Sequence, residues 1–575
     1  LMSGQIRPVT LVLRNQGLRI IRSEDNGFDI ILDQELDPIA PPMAGLNGGK
    51  NPLEKIIGWL ANPGMDSDEP ALLRGFESFE IEGARVIVDD RILDMSWSLP
   101  RLDVWMERRS DGLYSKSIVR FDEKILQPPT LKVDAILDSK TRKIDVNGML
   151  EHFELSFLAN RFPELSVFKD HRQLLDARLN LLIGADLTLE SAKFTLLSGI
   201  DEINLTALPD KLMPASSIDL LAEYNGKSGD LLFKRAHLIL NGMHDMRADA
   251  AFKIWKDGFD GHANFTMDHL RQADISLFWP LASLKWIVEN LSDGVFSDVH
   301  ALIKMQGKKI QDRWQVELGN VASSFQFEEM TVNYSAPLAP VKEAKGKGSF
   351  DLGSETLRVA IESAKLLDMQ IAKADVKLVN IIEAGKGTVD IEATLSGPLK
   401  TLLDYVKNKP INIDTDIDRK GLQGQVDLRA NIFFPMRAAL RMEDFKVNVN
   451  GEMRDFVLPG VLKNMTLAGK TLEFGIKGNL FKISGSGKLE SRDLKFDYQE
   501  FLNSKGQEYA RKINASMVMD HDFRKREGVD LSKFLDGPIP INVTITHYGD
   551  GKSSADLAID LAQARLFFDL FDYEK

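Results

Sequence analysis

Nine histidines are the side chains of this 575-residue chain best suited to hold a metal or move a proton. His237 and His244, and His262 and His269, form the two closest groupings of interest. Neither has the i, i+4 spacing that puts two imidazoles on one helical face, and no His-Glu-x-x-His string occurs. They read as turn or strand-surface residues. Asp520-His521-Asp522 offers a base beside an orienting carboxylate, but no nucleophile elbow accompanies it. Ser484-Gly485-Ser486-Gly487 resembles Gly-x-Ser-x-Gly only loosely and reads as part of a polar strand or turn. Lys345-Gly346-Lys347-Gly348 lacks the spacing of a phosphate loop and leads into strand-like Ser349-Phe350-Asp351-Leu352, so residues 341–348 read as a solvated linker or turn. No pair of carboxylates suggests glycoside hydrolysis. With no cysteine, structural disulfides and thiolate metal sites are excluded. The expectation is a protein that is not an enzyme, with no catalytic residue, no cofactor and no metal.

The elements that would position such residues are mostly strands. Val389, Ile391, Ala393 and Leu395 alternate with polar neighbours, and so do Val426, Leu428, Ala430 and Ile432. Phe445, Val447 and Val449 repeat the pattern, as do Leu494, Phe496 and Tyr498, and Ile541, Val543 and Ile545. Successive side chains on a strand point to opposite faces, so each segment has one apolar and one polar face. Turn chemistry separates them at Asp25-Asn26-Gly27, Tyr224-Asn225-Gly226, Asp257-Gly258 and Tyr548-Gly549-Asp550-Gly551. This predicts an antiparallel meander, not alternating strands and helices.

Helices are few. The clearest spans 280–291, with Pro280 at its first position, Leu281, Leu284, Ile287, Val288 and Leu291 on one face, and Gly294 beyond its end. Trp279 and Trp286 share a face if that helix begins early enough; such a face plugs a sheet, marks an entry point or simply packs. Weaker candidates are 52–60, 155–175 and 399–406, while 561–571 fits helix or strand. Few helices leave the apolar sheet faces to be covered by something else. Two sheets face to face would do it, and so would a groove completed by a hydrophobic guest. Periodicity alone favours the sandwich without deciding.

Net charge is −13, which argues against nucleic acid as the main partner. No stretch reaches the roughly 18 consecutive apolar residues of a membrane-spanning helix. The chain opens at Leu1 and runs straight into Ser3-Gly4-Gln5-Ile6, so it reads as a fragment whose upstream anchor or signal is missing.

An ordered set of segments resembles the AsmA-like superfamily, most closely its large YhdP-type members. At the start these are Gly4-Gln5-Ile6-Arg7-Pro8, Leu11-Val12-Leu13, Leu18-Arg19-Ile20-Ile21-Arg22 and Asn26-Gly27. A strand pair follows at Phe79-Glu80-Ile81-Glu82-Gly83-Ala84-Arg85-Val86-Ile87-Val88-Asp89-Asp90 and Trp97-Ser98-Leu99-Pro100. Phe278-Trp279-Pro280, Lys285-Trp286, Glu289-Asn290-Leu291 and Gly294 resemble the family's Trp-Pro helix insert. A Tyr-x-x-Pro-Leu-x-Pro element begins at Tyr334 and ends at Pro340. Ser396-Gly397-Pro398-Leu399 with Asp404-Tyr405 and Pro410 resembles a recurring unit, echoed at Asp536-Gly537-Pro538-Ile539-Pro540 with Ala555-Asp556-Leu557.

The resemblance implies a mainly β fold: a long curled antiparallel β-sheet groove with a few short helices, similar to TamB and to bridge-like lipid transfer proteins. Its implied regions are an N-terminal β region at 1–150, a groove segment at 151–270 with a helical insert near 155–175, the Trp-Pro helix insert at 271–295 and a C-terminal groove region at 296–575. It implies phospholipid as partner, a periplasmic location, attachment to the inner membrane through the missing anchor, and room for an outer-membrane or periplasmic protein partner. The alternative is a factor that assists outer-membrane protein insertion and envelope integrity. The expected lipid-facing residues are Val389, Ile391, Leu395, Val426, Leu428, Ile432, Phe445, Val447, Val449, Ile541 and Val543, with Trp279, Leu284, Trp286 and Leu291 on the insert helix; each reads equally well as an ordinary core residue.

Overall fold

The alternating segments form strands. Residues 389–395 lie in Thr388–Pro398, residues 426–432 in Gln423–Pro435, Val447 and Val449 in Lys446–Leu462, residues 494–498 in Arg492–Phe501, and residues 541–545 in Ile539–His547. These come from a computed structural model. Apart from short breaks, it describes residues 9–23, 28–32, 77–91, 95–121, 129–154, 174–198, 203–208, 211–240, 244–274, 290–310, 313–382, 385–437 and 444–574. Among the described residues, thirty strands are hydrogen-bonded into one sheet, and three short ones make a small second sheet from Leu535–Asp536, Arg565–Phe568 and Tyr573–Glu574. Neighbours in sequence are mostly neighbours in the ladder. Two-residue connections join many of them, as at Lys256-Asp257, Gly478-Asn479 and Glu490-Ser491. Among the described pairings only two are parallel: Thr10–Arg14 and Gly17–Arg22 both run along one edge of Ser78–Asp90. The break between these two strands falls at Asn15, opposite Gly83, whose φ of +66° lies in the region that favours glycine.

Two compact units divide the chain. The first holds Leu1–His269, Leu277–Pro280 and His300–Asn320; the second holds Leu270–Ser276, Leu281–Val299 and Val321–Lys575. At the start of the first unit, Leu18, Phe79, Ile81, Ala84, Val86 and Val104 form a closed core. Beside it Asp103 is buried and accepts from the Gly83 amide (2.8 Å), Arg101 Nε (3.1 Å) and Arg120 Nη1 (3.0 Å). Burial opposes its charge, but the amide and the two guanidinium groups outweigh that and hold the carboxyl below its ordinary range.

The second unit has the larger core. Met369, Val426, Met453, Phe456, Leu467 and Leu472 pack on one face of the sheet, and two helices lie against them. Helix α1 (Leu399–Val406) starts directly after the strand Thr388–Pro398 and buries Leu399, with Leu402 and Leu403 packed beside it. Helix α2 (His521–Arg526) buries Phe523 and Arg524. Its N-cap is Asp520, which accepts from the Phe523 amide at 2.8 Å and takes two bonds of 2.9 Å from Arg492.

Several expectations change. Helix 399–406 forms with the predicted bounds. Residues 341–348 are not a solvated linker: they open the strand Val341–Asp351, in which Ala344, Gly346 and Gly348 are buried. The two glycines make room for aromatic rings. A Cβ on Gly348 would lie 2.3 Å from Phe325, and one on Gly346 would lie 2.2 Å from the Ala360 carbonyl oxygen and 3.0 Å from Phe327. Leu291 is not helical; it opens the strand Leu291–Ser292, because its backbone pairs with Val332. Residues 280–289 of the proposed insert helix, with Leu284 and Trp286, and Trp279 before them lie outside the described residues, as do the candidate helix 52–60, most of 155–175 and the turn at Asp25-Asn26-Gly27. Leu175 belongs to the strand Leu174–Ile183, and the ambiguous 561–571 segment is strand at Arg565–Phe568.

Candidate functional site: an apolar ladder across the sheet

Side chains directly opposite in a ladder share a face of the sheet. In the second unit this rule connects apolar residues from strand to strand. Phe325, Gly348, Val359, Val376, Ile391, Ile432 and Val447 are successive partners. A second row runs Leu395, Leu428, Gly451, Phe474, Ile483, Tyr498, Ile513 and Ile545. A third runs Val426, Met453, Leu472, Gly485, Phe496, Ala515 and Val543 to Leu557. The opposite face is polar. Glu392, Asn431, Asn448 and Lys477 form one of its rows, and Asp427, Glu452 and Glu473 another, with Arg454 paired to Asp427.

All eleven sheet residues expected to face lipid therefore lie on one face. Val389 pairs with Phe434, whose ring lies 5.1 Å from that of Phe445, and Val449 pairs with Ala430. Ile541 sits beside Val543, two residues along its strand and opposite Met517. Their environments differ. Val426 is fully buried and Leu428 nearly so, within or beside the core that α1 and α2 cover. Ile391, Ile432, Phe445, Val447 and Val449 are only half-buried, and so are Ile476, Ile483, Tyr498 and Ile513 beyond them. Among the described residues no second large sheet covers this band. A sandwich core would bury these side chains fully. The face is thus filled at the helix-covered end, while beyond it half-buried residues alternate with buried ones such as Val389 and Ala430.

The cap over the filled end is held by polar contacts. The hydroxyls of Tyr334 and Tyr405 lie 2.5 Å apart, which ties the Tyr334–Pro340 element to α1. Burial pushes both phenols above their ordinary range. Arg492 and Arg526 lie over the two-sided ring of Phe523, at 4.9 Å and 5.3 Å from its centroid. Asp520-His521-Asp522 is therefore the start of a helix, with Asp520 as its cap.

The first unit carries its own ladder, which periodicity did not single out. Val133, Gly148, Leu179, Phe194, Ala222, Phe233, Ala250 and Ala263 are successive partners. Leu179 is exposed, and Phe194, Phe233 and Val133 are half-buried. The alternation at Leu175, Ala177, Leu179 and Leu181 was the available signal. On this unit's polar side, His237 lies 2.9 Å from Asp245. No cluster of metal-ligating side chains occurs among the described residues.

This geometry defines an open, mainly β protein whose sheet keeps one apolar face partly uncovered. The chain belongs to the YhdP family: the family described as YhdP protein matches residues 182–566, two thirds of its length. It is accordingly an AsmA-like, YhdP-type protein. No curated protein and no solved structure matches it. No helix among the described residues is long and apolar enough to cross a membrane.

Proposed function

We propose that this chain carries phospholipid between the inner and outer membranes of a bacterial envelope, along the uncovered apolar face. The observation that carries the reading is the half-buried band made by two rows on one face, Val376, Ile391, Ile432 and Val447 in one and Ile483, Tyr498 and Ile513 in the next. Family membership supports a bridge-like lipid transfer role. Exposing two acyl chains of roughly sixteen carbons to water costs on the order of 25 kcal/mol at about 0.8 kcal/mol per CH₂. A carrier need not match that at one spot. It needs a surface that a lipid never has to leave, and successive strands about 4.8 Å apart supply one. Such a surface has many equivalent positions and no catalytic centre, which suits a non-enzymatic role in the periplasm.

The test is Ile391→Asp in an assay of phospholipid transfer between donor and acceptor vesicles. Ile391 is half-buried, so a carboxylate there disturbs the face more than the fold. Transfer should fall by an order of magnitude while strand content is kept. A folded variant with unchanged transfer would rule out a lipid path at that position.

A second reading, an assembly factor for outer-membrane proteins, draws support from the strand Ser553–Ile559. Among the described residues it pairs on one side only, with Ile539–His547, and it contains no Lys or Pro to protect its other edge. Crosslinking from Leu557, which is 55 % exposed, to a strand of a barrel protein would favour it.

A further inference from the structure

The apolar face is interrupted at one place. Two residues beyond Tyr498 on its strand lies Glu500, and two before Ile513 lies Arg511. The ladder pairs Phe481 with Glu500, Glu500 with Arg511, and Arg511 with His547. All four therefore share the apolar face, at the edge of the uncovered band. Arg511 Nη2 donates to Glu500 at 3.0 Å, the Tyr498 hydroxyl donates to Glu500 at 2.6 Å, and His547 Nδ1 lies 2.7 Å from Ser553 Oγ. The side chains of Arg511 and Glu500 are 39 % and 34 % exposed, so solutes reach them. Among the described residues with a ladder partner, Glu500 is the one carboxylate on this face between Arg313–Val332 and Ser553–Ile559. Besides its partner Arg511, the charged strand residue on this face is Arg492, which is bound to Asp520 beneath α2.

A charged pair at the border of an apolar surface has the pattern of an amphiphile's head. We propose that Glu500, Arg511, Tyr498 and His547 hold the headgroup of a zwitterionic, amine-bearing phospholipid whose acyl chains lie on the adjoining band. This rests on the transport reading above. The phosphate replaces Glu500 as the partner of Arg511, and the ammonium replaces Arg511 as the partner of Glu500, so both charges stay paired. An anionic headgroup without an amine satisfies Arg511 but leaves Glu500 facing like charge.

The test incubates the full chain with vesicles of equal phosphatidylethanolamine and phosphatidylglycerol, then measures retained lipid by mass spectrometry after gel filtration. The wild type should enrich phosphatidylethanolamine about threefold, the size of one partly exposed charge-assisted contact. Glu500→Gln should abolish or reverse the enrichment with total retained lipid unchanged, whereas Lys482→Gln, on the polar face, should leave it intact. Retained lipid at the vesicle ratio, or a Glu500→Gln protein that still enriches, overturns the headgroup assignment alone. A wild type that retains no lipid overturns the transport reading beneath it. Soluble glycerophosphoethanolamine offers the same phosphodiester and ammonium charges without acyl chains and should not displace the lipid. If it does, the cluster is a site for a free solute and the proposal fails.

Discussion

At the residue scale, glycines on the apolar face do what larger side chains cannot. Gly451 lies opposite Phe474, and a Cβ there would come within 2.5 Å of the ring and 2.8 Å of the Asp427 carbonyl. The ring lies across the neighbouring strand because nothing stands in its way. Gly451→Ala should destabilise the second unit by about 1–3 kcal/mol, read by chemical denaturation. The residues of the 341–348 segment were misread for the same reason. Glycine contributes no hydrophobic signal, so Lys-Glu-Ala-Lys-Gly-Lys-Gly looks like linker although from Ala344 onward every second residue is buried. In the first unit Asp103 gives a pH prediction. Its folded pKa lies below the unfolded value, so its stabilisation is complete above about pH 4 and is lost as pH falls through the folded value. Asp103→Asn should cost about 1–3 kcal/mol at pH 7, and the gap to wild type should close below pH 4.

At the element scale, the strands were legible because alternation extends over many residues and is punctuated by turn signals. Helix α1 was legible too: Pro398 precedes it, and Leu399, Leu402 and Leu403 share one face. Helix α2 was not, because His-Asp-Phe-Arg-Lys-Arg has a single apolar anchor and no periodicity to detect; only Asp520 three residues before Phe523 hinted at a cap. That anchor matters to the covered end of the face. Phe523→Ala should destabilise the second unit by about 3–5 kcal/mol. Amide exchange should rise in α2 and at Leu489 and Arg492 beneath it, leaving Val389 and Ile391 unchanged. Tyr405→Phe, which keeps the ring and removes the hydroxyl facing Tyr334, should loosen α1 by about 1 kcal/mol in the same measurement.

At the scale of the whole molecule, alternation established that an apolar face exists, and the pattern alone leaned toward a sandwich. It could not say what covers the face, because a filled core and a lined groove have the same period. Accessibility distinguishes positions along it: Val426 and Leu428 belong with the core beneath the helices and Val389 is buried too, while Ile391, Ile432 and Val447 stay half-buried. Cross-strand register was equally hidden, and only register brings Glu500 and Arg511 together on the apolar side. The most direct measurement places a photocrosslinking amino acid at Ile432 and, separately, at Asn431, adjacent residues on opposite faces of one strand. Crosslinking is done in cells, and phospholipid adducts are read by mass spectrometry of the purified chain. The lipid-path account predicts adducts from position 432 and none from 431. No adduct at 432, or equal adducts at both, would contradict it.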